Sequence, residues 1–337
     1  MKKIIALTLT LLMLLGLTAC GQTDNNSSVQ TGTTSSTEEV KLTNANVYVL
    51  SGPTGIGAAN LKDKADKGQT EGKYNITVVA QPDEVVAKIS NKEADIAAIA
   101  TNLAAKLYNK TEGNITVLAV NTLGVLNVVT PAGVEIKSLK DLKGKKVYTT
   151  GQGSNPEYII NYLLEKNEIK NDVTLEFKAE GTELLSVWAT DPNAIIIAPQ
   201  PVATTLTVQN AGSKIALDLT KEWEKVDDTS ALMMGCVVVR NEFLKDNKAT
   251  VDKFLEEYKA SIETANKDID TTATLCETYG IIPKAAIAKK AIPNCNLTFV
   301  SGSEMKTKLS GYLTVLYNAD KTSVGGKLPA DGFYYEK

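Results

Sequence analysis

Two glycine-rich segments are the best candidates for ligand chemistry in this sequence. The first is Ser51-Gly52-Pro53-Thr54-Gly55, and the second contributes Gln152, Ser154 and Asn155. Glycine lets a bound molecule approach the backbone, and the first N–H groups of a following helix are free to donate hydrogen bonds. The first segment is not a P-loop, because no Gly-Lys-Ser or Gly-Lys-Thr follows it. We predict that both contact a ligand. The alternatives are a plain turn for the first segment and simple helix capping by Asn155 before Pro156 for the second.

A second group of candidates lies next to predicted strand ends: Thr101, Asn102, Asn121, Thr122, Gln200 and Met234. In open α/β sheets, ligands bind at the carboxyl ends of the strands, so these side chains could converge on one site. Solvation of loops explains the polar members equally simply, and a core position is the alternative for Met234.

The composition excludes several kinds of chemistry. The chain has no histidine, so the commonest general base is missing. It has a single arginine, Arg240, so only one residue could bind an anion through two parallel hydrogen bonds. Apart from Cys20, the cysteines are Cys236, Cys276 and Cys295, without metal-type spacing. We predict no catalytic residue, no metal and no cofactor. Cys276 and Cys295 form either a disulfide or two buried thiols. The net charge of −3 and the scattered basic residues argue against nucleic-acid binding.

The elements that must position these residues alternate as strands and helices in two similar blocks. The first block has strands at 46–50, 76–80 and 95–100, helices at 58–67 and 82–91, and a loop at 51–57. The second has strands at 146–149, 173–177 and 194–198, helices at 157–166 and 182–189, and a loop at 151–156. Similar spacing in the two blocks predicts two α/β lobes that enclose a ligand between their glycine-rich loops. The alternative is that the two blocks are similar only by chance, because strands and helices alternate in any α/β protein.

The N-terminus has the pattern of a lipoprotein signal. Lys2 and Lys3 precede an apolar run at 4–17, which is too short to span a bilayer comfortably and ends in Leu17-Thr18-Ala19-Cys20-Gly21. We predict a signal peptide at 1–19, a lipidated Cys20 and a flexible tether over 20–40. An ordinary signal peptide with a chance cysteine is the alternative. The predicted location is the outer face of the cell membrane, held there by the lipid.

Four segments resemble one protein family. Residues 138–147 (Ser-Leu-Lys-Asp-Leu-Lys-Gly-Lys-Lys-Val) are similar to the segment that opens the second lobe of periplasmic-type binding proteins, and 82–97 resembles a helix and buried strand of the first lobe. Residues 197–201 (Ile-Ala-Pro-Gln-Pro) resemble a corner of the nitrate-, sulfonate- and thiamine-precursor-binding branch, with Gln200 where glutamate is usual. Residues 237–244 resemble that branch's return to the first lobe.

The resemblance implies a solute-binding protein of an ABC importer with the type II periplasmic-binding-protein fold. That fold is a two-lobed α/β clamp in which each lobe is a mostly parallel sheet flanked by helices. Lobe 1 would comprise 41–130 and 235–337 and lobe 2 would comprise 131–234, with crossovers near 128–133 and 231–237. The implied partners are a small molecule, an ABC permease and its ATPase, and we expect a monomer.

Two other functions remain as alternatives. The first is an enzyme of thiamine-precursor or quinone-type biosynthesis on the same fold, against which stand the missing histidine and the export signal. The second is a surface adhesin or sensor partner. The ligand's chemistry stays open among a sulfonate, nitrate and a vitamin-precursor-like heterocycle.

Overall fold

The computed structural model describes residues 41–336. The predicted signal peptide, lipidated Cys20 and tether lie outside these residues. Within 41–336, no helix combines the length and apolar character needed to cross a bilayer.

Eleven strands in the described part of the chain form two sheets. They are β1 Asn44–Leu50, β2 Lys73–Val79, β3 Ile96–Ala100, β4 Ile115–Thr122, β5 Leu126–Thr130, β6 Lys146–Thr150, β7 Thr174–Lys178, β8 Ile195–Pro199, β9 Lys214–Asp218, β10 Gly235–Arg240 and β11 Leu297–Val300. The six-stranded sheet has the order β11-β4-β10-β3-β1-β2, and the five-stranded sheet has the order β7-β6-β8-β5-β9. Each sheet with its helices is called a lobe below, the six-stranded one being the first.

Helices cover the sheets and connect the strands. They are α1 Pro53–Ile56, α2 Ala59–Asp66, α3 Pro82–Ser90, α4 Thr101–Lys110, α5 Asn155–Lys166, α6 Gly181–Leu184, α7 Val187–Thr190, α8 Val202–Gln209, α9 Leu219–Glu224, α10 Asn241–Asp246, α11 Lys248–Lys267, α12 Ile269–Thr278, α13 Ala285–Ala291 and α14 Gly302–Ala319. Short 3₁₀ turns occur at Leu139–Leu142, Lys170–Asp172, Ile292–Asn294, Lys321–Val324 and Asp331–Phe333.

The two sheets repeat one topology. The order β2-β1-β3-β10-β4 in the first lobe corresponds to β7-β6-β8-β5-β9 in the second. In each case the fourth strand runs antiparallel to its neighbours and is the strand that the chain forms on arriving from the other sheet. The predicted α/β class and two-lobed architecture are confirmed. Each sheet is mixed, because this arriving strand enters from the opposite end.

The first crossover lies earlier than the sequence predicted. The chain leaves the six-stranded sheet after Thr122 and enters the five-stranded sheet at Leu126, so the crossover is 123–125 rather than 128–133. The lobe boundary predicted after residue 130 is therefore too late, because β5 belongs to the second lobe. The sequence did not indicate the change of sheet, because most residues from 115 to 130 are apolar and both strands in this stretch are buried. Gly124 permits the passage, because a Cβ there would overlap the Thr220 hydroxyl.

Two predicted elements differ in their local form. Pro53–Ile56 is a helical turn inside the segment predicted as a loop, and the helix predicted at 182–189 is divided into α6 and α7. Proline at the start of α1 suits a first helical turn, where its missing N–H costs nothing.

An aromatic cluster of Trp223, Tyr162 and Tyr312 packs the second lobe against the long C-terminal helix α14. The fully buried ring of Trp223 lies 4.5 Å from that of Tyr162 on α5 and 5.8 Å from that of Tyr312 on α14. Helix α14 also packs on β4 of the first lobe. Because a buried aromatic side chain contributes roughly 1.5–3 kcal/mol, this cluster is a substantial connection between the lobes.

Candidate functional site

Five of the predicted site residues lie together where strands β3 and β4 of the six-stranded sheet end; below, this group of strand ends is called the strand edge of the first lobe. Asn121, at the end of β4, donates through Nδ2 to the Thr54 carbonyl (3.1 Å) and to the Tyr258 hydroxyl (2.8 Å). Its Oδ1 accepts from the Thr122 hydroxyl at 3.0 Å. The Met234 amide donates to the Thr122 carbonyl at 3.1 Å. Asn121 is thus a buried connector that fixes α1 against β4.

Thr101 completes this edge. Its amide donates to the Met234 carbonyl at 3.1 Å, and its hydroxyl donates to the Met233 carbonyl at 2.7 Å. Thr101 and Met233 are buried, whereas Asn102 and Met234 are half-buried. The Thr101 hydroxyl therefore positions the start of α4, and Asn102 and Met234 keep side-chain surface for a ligand.

The backbone amides of Gly52 and Gly55 in the first glycine-rich segment are already hydrogen-bonded within the protein. Gly52 has a left-handed φ of 84°, and its amide donates to the Ile281 carbonyl at 2.8 Å. The Gly55 amide donates to the Gly52 carbonyl at 3.0 Å. A Cβ on Gly55 would overlap the Leu50 carbonyl oxygen, so Gly55 is required by the backbone of β1. Gly55 itself does not adopt a left-handed φ, since the turn is helical there.

Gln200 occupies the position in the second lobe that Thr101 occupies in the first. The Gln200 amide donates to the Val125 carbonyl at 2.9 Å, as the Thr101 amide does to Met234. Its Nε2 donates to Asn127 Oδ1 at 2.6 Å, and its Oε1 accepts from Thr204 at 2.7 Å. Gln200 is buried, and its side chain secures β5 and α8 to the end of β8.

Asn127 is a polar residue that the sequence analysis missed. It is almost fully buried on β5, and its Nδ2 has no hydrogen-bond partner among residues 41–336. The available signal was an amide side chain inside an otherwise apolar stretch.

The second glycine-rich segment forms a turn at the end of β6. The Ser154 hydroxyl donates to the Gly151 carbonyl at 2.7 Å, and the Gly153 amide donates to Glu157 Oε2 at 2.6 Å. Gln152 and Ser154 are exposed, whereas Asn155 is buried and its Oδ1 has no partner within the described residues. Ser154 therefore shapes the turn and Gln152 remains available to a ligand.

Asn296 links the first crossover to the end of β9 and the start of α9 in the second lobe. Its Nδ2 donates to the Gly124 carbonyl at 2.7 Å and lies 3.1 Å from the Thr220 hydroxyl and 3.2 Å from Asp218 Oδ2. Its carbonyl accepts from the Leu123 amide at 3.0 Å. The two strand edges are therefore held close to each other by a three-residue crossover and a side chain bonded across it.

The single arginine lies far from these edges. Arg240 is the last residue of β10 and lies at the opposite end of the strands. It donates to Asp95 Oδ1 at 2.7 Å and to the Ala94 carbonyl at 2.8 Å. Strand geometry places it roughly 15 Å or more from Gly235 at the other end of β10. It stabilises the sheet, and it cannot reach a ligand between the lobes.

The three cysteines of the described region are buried free thiols. Of the two alternatives for Cys276 and Cys295, the structure has the thiol pair, and the Cys295 thiol donates to the Ala291 carbonyl at 3.2 Å. Burial raises the pKa of Cys276 to about 12, so its reactive thiolate is disfavoured. Within 41–336, no group of three histidine, cysteine or acidic side chains is arranged to hold a metal ion.

The architecture defines a periplasmic-binding-protein fold, and the comparisons agree. An ABC transporter structure from Parabacteroides distasonis superposes with a TM-score of 0.73 at 24% identity, covering 87% of this chain and 99% of that chain. The periplasmic aliphatic sulphonate binding protein SsuA from Escherichia coli gives 0.66 at 12% identity, covering 87% and 92%. A Candida albicans protein described as having the generic periplasmic binding protein fold gives 0.52 at 13%, covering 86% and 92%.

The sequence itself identifies the family. Residues 73–270, more than half of the chain, match the family described as NMT1/THI5 like. This chain belongs to the NMT1/THI5-like family. Among curated proteins, none matches the sequence significantly.

Proposed function

We propose that this chain is the substrate-binding component of an ABC importer and binds a small molecule between its two lobes. The observation that carries the proposal is the equivalence of the two strand edges. The amides of Thr101 and Gln200 donate to Met234 and Val125 in the same way, and the edges are joined by the crossover 123–125. Two such edges form the walls of one site at the carboxyl ends of parallel strands. One fold neighbour described as an ABC transporter and one described as a periplasmic sulphonate binding protein support this function.

The ligand would contact the polar side chains that the protein itself leaves unused. Ser51, Thr54, Asn102 and Gln152 make no side-chain hydrogen bond within the described residues, and Met234 adds an apolar surface. These groups are uncharged donors and acceptors, which bind and orient a ligand without transforming it. The buried thiols have raised pKa values and supply no nucleophile. We therefore propose binding without catalysis.

The mature protein would be anchored by a lipid on Cys20, outside the membrane, with its permease and ATPase as partners. In cell fractionation, the wild-type protein should be found with membranes. Cys20→Ser should be released or remain unprocessed, because the acyl acceptor is lost. Processed Cys20→Ser that stays in the membrane fraction would refute the anchor.

A ligand screen tests the binding function. The mature chain is exposed to sulfonates, nitrate and uncharged polar compounds, and the melting temperature is measured for each. A compound that raises the melting temperature saturably should also reduce the radius of gyration in small-angle X-ray scattering, because the lobes close on it. Saturable binding with an unchanged radius would place the site outside the cleft.

A further inference from the structure

The turn at the end of β6 contains the elements of an anion site, but one of its own carboxylates occupies it. Gly151 and Gly153 both have left-handed φ values, 81° and 68°, and the twelve-residue helix α5 follows. Such a turn before a helix attracts negative charge. Here the Gly153 amide donates to Glu157 Oε2 at 2.6 Å, in the manner of a capping glutamate. An incoming oxyanion would have to displace this carboxylate and approach its charge.

A second carboxylate adds to the negative charge at the same place. The Tyr158 hydroxyl lies 2.9 Å from the Gly153 carbonyl and 2.8 Å from Asp320 Oδ2. Asp320 belongs to the other lobe, at the end of α14. One tyrosine hydroxyl thus separates this carboxylate from the glycine turn.

The opposing wall supplies hydroxyl and amide side chains to a ligand, but it supplies no arginine. The Gly52 amide donates to the Ile281 carbonyl, and the only arginine is bonded to Asp95 at the far end of β10. An anion between the lobes would meet two carboxylates without an arginine to bind it.

An independent feature favours a ligand that donates hydrogen bonds. Asn155 is 8% exposed, and its Oδ1 has no partner within residues 41–336. The hydroxyl of Thr149, just before the turn on β6, is also buried without a partner in that range, and it can either donate to a ligand or accept from it, so the preference for a donor rests on Asn155. Buried acceptors without donors are costly, so a ligand N–H or O–H group directed at this turn would be favoured.

We propose that the cleft selects against small oxyanions and accepts a non-anionic ligand with N–H or O–H donors, and that Glu157 is the residue responsible for this discrimination. The proposal rests on the proposed binding function and deepens it. If the proposal holds, this chain differs in its ligand from the fold neighbour that is described as a sulphonate binding protein.

The test measures binding of methanesulfonate and sulfate to the mature protein by calorimetry, with sodium chloride holding the ionic strength constant. Wild type is compared with Glu157→Gln, which removes the charge but can still cap Gly153, and with Glu157→Ala, which also frees the amide. Glu165→Gln is the matched control, because Glu165 is an exposed glutamate on the same helix that pairs with Lys170.

We expect no saturable binding to wild type or to Glu165→Gln, whereas Glu157→Gln and Glu157→Ala should bind saturably, with an apparent Kd at least roughly tenfold below the highest anion concentration tested. Circular dichroism confirms that the variants are folded. Saturable methanesulfonate binding to wild type would overturn the charge selection while supporting the binding function. Unchanged behaviour of both Glu157 variants would overturn the role of Glu157. Failure of the binding function itself is seen separately, when no compound of the ligand screen binds.

Discussion

At the scale of single residues, the polar side chains near the cleft divide into those that hold the protein together and those left for a ligand. Asn121 uses both ends of its amide on Thr54, Tyr258 and Thr122, and Gln200 does the same with Asn127 and Thr204. The sequence predicted the position of these residues at strand ends. It could not predict their partners, since Tyr258 lies far away in the chain and only the fold brings it to Asn121.

Substitution should destabilise the protein at Gly55 and leave its stability almost unchanged at Thr54. Gly55→Ala places a methyl group against the Leu50 carbonyl, so the free energy of unfolding should fall by about 1–3 kcal/mol. Thr54→Val nearly conserves shape and removes a hydroxyl without a protein partner in 41–336, so stability should change by less than about 0.5 kcal/mol. Urea unfolding measures both. A fully stable Gly55→Ala protein would contradict the close packing of α1 on β1.

Asn296 should stabilise the connection between the lobes through its side chain and through its backbone. It has a left-handed φ of 48° and donates to Gly124 and Thr220. Asn296→Gly loses the hydrogen bonds without backbone strain and should destabilise by about 1–3 kcal/mol. Asn296→Ala should lose a further 1 kcal/mol or so, because a Cβ disfavours this conformation.

Urea unfolding of the two Asn296 variants separates these contributions. Because wild type and Asn296→Ala both have a Cβ, equal stability of these two proteins would mean that the hydrogen bonds of the Asn296 side chain contribute nothing. Equal stability of the alanine and glycine variants would mean that the backbone at 296 is relaxed.

At the scale of elements, the second crossover, which runs from the end of α9 at Glu224 to the start of β10 at Gly235, is anchored by one carboxylate. Asp227 accepts from the Ser230 hydroxyl at 2.6 Å, from the Tyr162 hydroxyl at 2.8 Å and from the Thr229 amide at 2.9 Å. Burial alone would raise the pKa of Asp227, but these hydrogen bonds outweigh it and hold that pKa well below the usual range. Asp227 thereby fixes the crossover to α5.

Asp227→Asn should therefore reduce stability in a pH-dependent way. A depressed carboxyl pKa stabilises the fold above the unfolded value near 4, and this contribution is lost as the pH falls toward the folded value. We expect the difference in unfolding free energy between wild type and Asp227→Asn to be largest at pH 6–7 and to shrink steadily below about pH 4. Chemical unfolding at several pH values measures it. A difference independent of pH would show that the charge of Asp227 is unimportant.

Most elements were predictable because local patterns determine them. Helix α5 has apolar residues on one face, and Ile159, Ile160, Leu163 and Leu164 are all buried as that pattern requires. The crossover at 123–125 was not predictable, because β4 and β5 are both completely buried and form one apolar stretch. Hydrophobicity indicates burial, and it does not indicate which sheet a strand joins.

At the scale of the whole molecule, the lobes are joined by the crossovers, by α14, by the packing of α13 on α8, by the side chain of Asn296 and by a hydrogen bond beside the candidate site. Helix α14 packs on β4 and on α5, and Tyr158 of α5 contacts Asp320 at the end of α14. Hydrogen bonds from Thr322 and Tyr158 lower the pKa of Asp320, so its carboxylate accepts from the tyrosine at neutral pH. This bond connects the glycine turn of the second lobe to the first lobe, and it should favour the closed arrangement.

Tyr158→Phe should consequently shift the ligand-free protein toward open lobes. Loss of a net hydrogen bond worth about 1 kcal/mol changes such an equilibrium about fivefold. The radius of gyration from small-angle X-ray scattering at pH 7 should increase relative to wild type and to the control Tyr317→Phe, which alters a partly buried tyrosine of α14. Hydrogen bonds keep the pKa of Asp320 below the usual aspartate range, so only at a pH well below that range should protonation remove the carboxylate acceptor and bring wild type close to the variant. If the radii of wild type and Tyr158→Phe coincide at pH 7, the bond does not control lobe closure.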